Sequence, residues 1–232
     1  VWALPRVVRA LREGKDLPDR VVAITADDAY RSVYEEAWPR LRERGWPLTV
    51  FVSTDGVDEG SSAYMTWEQM REMHEQGASF GNHSASHAHL IERRDGETAA
   101  QWRERVRGDL RKAQERLQSE LGEGANSAPK LLAYPFGEYS AALADLAGKM
   151  GYVAFGQHSG ALGPIESGSA LPRFPVNEQY ADLDSLADKL DSLPLPVPSE
   201  SPRDPVVDGK GPPTLVLTLG EAAPASTPLT IR

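Results

Sequence analysis

Short apolar runs alternate with amphipathic stretches through most of this chain, and that alternation constrains the fold more than any other feature. Val21 to Thr25, Leu48 to Val52, Ala78 to Asn82, Leu131 to Tyr134 and Tyr152 to Phe155 each have the length and composition of a buried strand. Between them lie helical patterns. Ser32 to Arg44 ends at Gly45 and carries Pro39, which predicts a kink, because proline lacks the N–H that a helix interior needs. Thr66 with Gln69 three residues on predicts a capping box for a helix ending before Gly77. Thr98 to Leu121 places Trp102, Val106, Leu110, Ala113 and Leu117 on one stripe, and Ser140 to Met150 is a further helix. Strands alternating with helices predict an α/β domain with a parallel sheet or barrel, over about residues 1–192.

The composition changes at Leu193. Prolines at 194, 196, 198, 202, 205, 212 and 213 predict a linker or surface arm over 193–213 without regular helix or central strand. Thr214 to Leu219 and Leu229 to Ile231 then predict a short β extension over 214–232. Two strands are marginal alone, so this extension needs something to pack against.

A net charge of −9 argues against nucleic acid or an anionic membrane as partner, since both select basic faces. No apolar run approaches the roughly 20 residues of a membrane span. The chain has no cysteine, which excludes thiolate nucleophiles and thiolate metal sites.

Chemistry gathers just beyond two of the strands. Thr25-Ala26-Asp27-Asp28 follows the first, where parallel α/β folds collect catalytic groups. Two adjacent carboxylates point in different directions, so one can bind a metal while the other stays free as a base. A turn with an Asp capping the next helix is the alternative. Asn82-His83-Ser84-Ala85-Ser86-His87 follows the third strand, and histidines at i and i+4 on a helical turn can reach one ion. A surface pair is the alternative here. One Asp and two His leave coordination positions open for water and substrate, as a catalytic metal site needs. His89 has the wrong spacing for that set and reads as a residue supporting the ligands from behind or as a surface residue, and His74 reads as solvated.

These segments resemble the motifs of the polysaccharide deacetylases, carbohydrate esterase family four. Thr25 to Ala29 is similar to T-F-D-D-G, His83 to His87 matches H-[ST]-x-x-H, and Tyr134 to Gly137 resembles the P-Y-G part of a third motif. The resemblance covers about residues 20–180. It implies a distorted (β/α) barrel whose divalent metal, usually zinc, is held by Asp28, His83 and His87. It further implies Asp27 as the general base and the backbone N–H of Phe136 as an oxyanion donor. The implied reaction is hydrolysis of the acetamide of an N-acetylated polysaccharide or oligosaccharide, of the N-acetylglucosamine type, with release of acetate. The family's usual substrates imply an extracytoplasmic location, although no export signal stands in these residues.

The departures carry information. Ala26 and Ala29 replace Phe and Gly, and Ala133 stands where the family commonly has an Arg that orients the base. Arg173, in Leu171-Pro172-Arg173, is the natural substitute. The family's L-x-H motif is missing, leaving His158 as the candidate general acid. Tyr30, Tyr134, Phe136 and Tyr139 flank these segments as candidate sugar contacts. A non-catalytic carbohydrate-binding relative and a hydrolase of another substrate, such as acetylated xylan, remain the alternatives.

Overall fold

The computed structural model describes residues 1–163, 168–177, 180–194, 197, 199–201, 204–206 and 214–218. Five strands, β1 (Ile24–Ala26), β2 (Leu48–Val52), β3 (Ser79–Asn82), β4 (Lys130–Ala133) and β5 (Tyr152–Phe155), form one sheet in sequence order. Every neighbouring pair is parallel, with Ile24 opposite Leu48, Val50 opposite Phe80, Asn82 opposite Leu132 and Ala133 opposite Phe155. A sixth segment joins beside β5 through a parallel bridge between Phe155 and Leu171.

The two faces of this sheet have different partners. Phe51, Leu131, Ala133, Val153 and Phe155 pack with Ala23, Leu162 and Leu171 in one cluster, the interior of a curled half-barrel. Helix α1 (Leu4–Arg12) sends Leu4 and Val8 into that same cluster and so closes its lower end. Alternate residues on β2, Val50 and Val52, face outward onto Trp38, Met70, Met73 and Leu117. Leu132, Tyr134, Tyr152 and Ala154 face outward onto Trp102, Val106, Leu110 and Leu143. Covered on both faces, β2 is buried at all five positions, which is why it reads as a continuous apolar run. Gly81 is the concession to the crowded interior: a Cβ there would lie 2.6 Å from the Phe51 ring.

The outer helices follow their sequence signals closely. α4 (Trp67–Glu75) and α5 (Ala99–Leu121) both begin with reciprocal capping boxes, Thr66 with Gln69 and Thr98 with Gln101. The α5 stripe from Trp102 to Leu117 is buried throughout, and α6 (Ala141–Lys149) starts at a Ser140 cap. The kink expected at Pro39 takes the form of a π-helical turn, Val33–Ala37, followed by α2 (Trp38–Glu43). The wider turn removes the proline ring from the carbonyl it would strike in an unbroken α-helix.

Several expectations need correction. The first strand begins at Ile24, not Val21, and the Val22 carbonyl instead accepts from the Trp2 N–H. Helices α1, α3 (Thr54–Asp58) and α7 (Leu183–Asp191) were not anticipated. Within the proline-rich arm an edge strand, β6 (Ser199–Ser201), fits in a proline-free gap and pairs antiparallel with β7 (Val216–Thr218) in a two-stranded sheet. The expected strand at Leu229 to Ile231 lies outside the described residues. Among the described residues no helix is long and apolar enough to cross a membrane.

Candidate metal centre

Parallel strands bring their carboxyl ends to one rim of the half-barrel, and the acidic pair and the histidines meet there. One ligand atom from each of Asp28, His83 and His87 falls within 4.8 Å of the others. His87 Nε2 is 2.9 Å from Asp28 Oδ1, and His83 Nε2 is 3.3 Å from the same oxygen.

The i, i+4 spacing works here by a different route from the helical turn expected of it. Residues 83–88 form a loop in which Ser84 (φ 64°) and His87 (φ 51°) are both left-handed. Side-chain hydrogen bonds hold that shape. Asn82 Oδ1 accepts from the Ser84 N–H (2.8 Å), and Ser84 Oγ accepts from the His87 N–H (2.9 Å). Asp109 on α5 accepts from the Ala85 N–H (2.7 Å) and the Ser86 hydroxyl (2.5 Å). Ser53 donates to the His83 carbonyl (2.9 Å). Asn82 is itself buried and donates to the Leu110 carbonyl (2.8 Å), so the loop is tied to α5 at two points. Neither Asn82 nor Asp109 has a local signature, because each acts through a partner distant in sequence.

Asp28 (φ 69°) and Ala29 (φ 57°) are left-handed too. Ala29 therefore occupies a conformation that suits the Gly common at this position in the resembled motif, at roughly 1–2 kcal/mol of strain.

The His83 ring shows what the centre is suited to hold. Its Nδ1 is 2.8 Å from the Ala133 carbonyl, which can only accept, so Nδ1 carries the proton. In the neutral form of the ring the Nε2 lone pair would face a carboxylate oxygen 3.3 Å away, in a side chain only 1% exposed. Two facing lone pairs repel, and either a second proton or a metal ion between them resolves the conflict. An imidazole whose far nitrogen donates to a carbonyl is the usual orientation of a metal ligand. Burial pushes the Asp28 carboxyl up, but the hydrogen bonds and charge of His83 and His87 outweigh it and hold the group well below the carboxylate range.

Asp27 turns away from this trio to Arg173. The pair is bidentate, Nη1 to Oδ1 at 2.7 Å and Nη2 to Oδ2 at 2.8 Å. Arg173 also donates to Thr25 Oγ1 (3.2 Å) and to the Gly156 carbonyl (2.9 Å). The segment beyond β5 thus reaches across the open barrel to the end of β1. Burial raises the Asp27 carboxyl, and the Arg173 hydrogen bonds and charge more than reverse that.

Phe136 (φ 59°) follows β4, with its ring stacked on His89 at 4.1 Å and edge-on to His87 at 4.5 Å. Gly137 beside it cannot bear a Cβ, which would sit 2.6 Å from Gln157. His158 lies on the loop after β5, against Tyr139 with ring centres 5.7 Å apart, and its carbonyl accepts from the Arg173 N–H. Tyr134 is core, fully buried with its hydroxyl on the Ser169 carbonyl. Tyr30 is exposed, close enough to Asp28 for that charge to push its hydroxyl pKa up. His89 is a surface residue paired with Glu138, whereas His74, though exposed, bonds the Ala78 carbonyl.

Known proteins share this frame. The poly-beta-1,6-N-acetyl-D-glucosamine N-deacetylase of Escherichia coli K12 is 24% identical over 204 residues, covering 74% of this chain and 30% of that protein. The chain therefore spans less than a third of that relative. Among solved structures, the deacetylase PplD of Streptococcus pyogenes, in complex with acetate, superposes with a TM-score of 0.71 at 22% identity, over 82% of this chain and 79% of that one. IcaB from Ammonifex degensii gives 0.68 at 22%, over 83% and 82%. Both share the curled parallel sheet with its surrounding helices, a distorted (β/α) barrel. The polysaccharide deacetylase family matches residues 14–155, from the end of α1 through the whole five-stranded sheet and the segments bearing Asp28, His83 and His87, and the chain belongs to that family.

Proposed function

We propose that this chain hydrolyses the acetamide of an N-acetylated hexosamine polymer, of the N-acetylglucosamine type, with a divalent metal held by Asp28, His83 and His87. The convergence of those three ligand atoms within 4.8 Å, beside a second carboxylate held apart by an arginine, carries the reading. One carboxylate and two imidazoles suit zinc, and the Nε2 atoms of His83 and His87, both turned toward Asp28 Oδ1, fit a cation. Such an ion supplies Lewis acidity and lowers the pKa of water toward neutrality.

The protein's own groups supply the rest. Asp27 takes the proton of the attacking water, and Arg173 keeps that carboxylate ionised and aimed. The backbone N–H of Phe136 donates to the oxyanion that forms as the acetamide carbonyl is attacked. The C–N bond then breaks, acetate departs, and the amine takes a proton assigned to His158. Gln157 supports that assignment: its amide approaches Asp27 Oδ2 at 3.4 Å, placing the loop that carries His158 beside the base. The usual extracytoplasmic substrates of the family support an extracytoplasmic location for this reaction.

Metal analysis combined with acetate release from N-acetylglucosamine oligomers tests the reading. Asp27→Asn should abolish turnover while metal stays bound, and His87→Ala should lose both. A chain that neither binds zinc or cobalt nor releases acetate in their presence refutes it.

A further inference from the structure

A second feature lies on the same rim, two residues from Asp28. Tyr30 and Tyr64 stack with ring centres 5.6 Å apart and planes within 13°. The pair is built into a short antiparallel ladder, in which Arg31 N–H donates to the Ala63 carbonyl (2.8 Å) and Met65 N–H to the Ala29 carbonyl (2.9 Å). Ala29 and Met65 are buried, so the ladder is anchored in the core. Tyr64 is backed by Gly56, where a Cβ would lie 3.0 Å from its ring. Tyr64 thus fills the space between Gly56 and Tyr30, while Tyr30 remains 45% exposed. A core-anchored aromatic ladder that leaves so much of one ring open to water is a costly way to build a turn, since exposed aromatic surface forgoes burial.

We propose that the Tyr30–Tyr64 stack is a subsite for the sugar unit next to the one deacetylated, which rests on the deacetylase reading above. A β-linked glucosamine unit carries its substituents equatorially, so each ring face presents C–H groups that pack on a π face. A polymer whose reacting acetamide lies at Asp28 must continue across the rim, and Tyr30 stands two residues from that point. The backing ring holds the platform rigid, so binding does not spend energy on ordering it. The stack therefore selects chains over single sugars, an extended substrate gaining a contact that a monomer cannot make.

Chain-length dependence tests this. The ratio of kcat/KM for an N-acetylglucosamine pentamer to that for the monomer should fall about tenfold in Tyr30→Ala, as loss of one aromatic stacking contact implies. The loss should appear in KM. Tyr64→Ala, which removes only the backing ring, should lower the ratio less, and Tyr30→Phe should restore it. An unchanged ratio in both alanine variants, at wild-type metal content, overturns the subsite. Failure of the wild-type chain to release acetate from any oligomer overturns the deacetylase reading instead. Calorimetric binding of the pentamer to Asp27→Asn, with and without Tyr30→Ala, then decides the subsite by itself: equal affinity refutes it, weaker binding sustains it.

Discussion

Replacing Arg173 with alanine should damage stability and pH response together, in proportions that the structure sets. The guanidinium makes two charge-assisted bonds to Asp27 and one each to Thr25 and the Gly156 carbonyl. Its side chain is 14% exposed and that of Asp27 17%. Breaking a buried ion pair from one side costs about 3–5 kcal/mol, and because water still reaches both groups the lower end, about 3 kcal/mol, applies. For a domain of this size that corresponds to a fall in Tm of about 6–12 °C. Arg173 also holds the Asp27 pKa below its ordinary value, against burial, which pushes it up. A depressed carboxylate stabilises the fold above its unfolded pKa of about 3.9, and that contribution is lost as pH falls through the folded value. The Tm gap between wild type and variant should therefore be full near neutrality and should close in acid. In the variant burial and the Asp28 charge lose their main opponent, so the acid limb of acetate release should move to higher pH and the rate should drop about a hundredfold. Arg173→Lys, with charge but no fork, should fall between. Thermal melts from acid to neutral pH and pH-rate profiles read these effects. A variant melting within about 1 °C of wild type at neutral pH, with an unmoved acid limb, would falsify the assignment.

Other outcomes follow from the packing and the loop. Gly81→Ala should cost about 1–3 kcal/mol by driving a methyl into Phe51, and Phe51→Leu in the same chain should recover part of it; denaturant midpoints check both. Asp109→Ala frees the backbone of Ala85 and the hydroxyl of Ser86, and chelator competition should show zinc bound about 10–100-fold more weakly. Unchanged affinity would mean the histidine loop holds itself. Glu97, held at about 2 chiefly by hydrogen bonds from Arg105, gives a pH test remote from the centre. Its contribution is present above the unfolded value of about 4.3 and disappears as pH drops toward 2, so wild type and Glu97→Gln should converge in stability over that window.

Local order along the chain was legible because it depends on neighbours in sequence. The Thr66 capping box, the stripe from Trp102 to Leu117 and the fully apolar β2 are patterns of backbone preference and side-chain period, and they predict their own elements. The acidic pair after β1 and the histidines after β3 were legible for a related reason: parallel strands put their ends together wherever such a sheet forms. The short strand β6 was obscured by its flanking prolines, and α1 carries little signal before the half-barrel it plugs is known.

What joins those pieces was decided by tertiary structure alone. The two histidines converge through left-handed Ser84 and His87 rather than a helical turn, and Asn82 and Asp109 impose that shape from β3 and α5. Tyr64 meets Tyr30 across a ladder that no periodicity announces. Arg173 reaches Asp27 across 146 residues of sequence only because the sheet curls until its last segment faces its first strand. Local sequence determines which way a backbone turns and which face a side chain takes. Distances between side chains far apart in the chain depend on the accumulated twist and packing of every strand between them, and no local pattern records that sum.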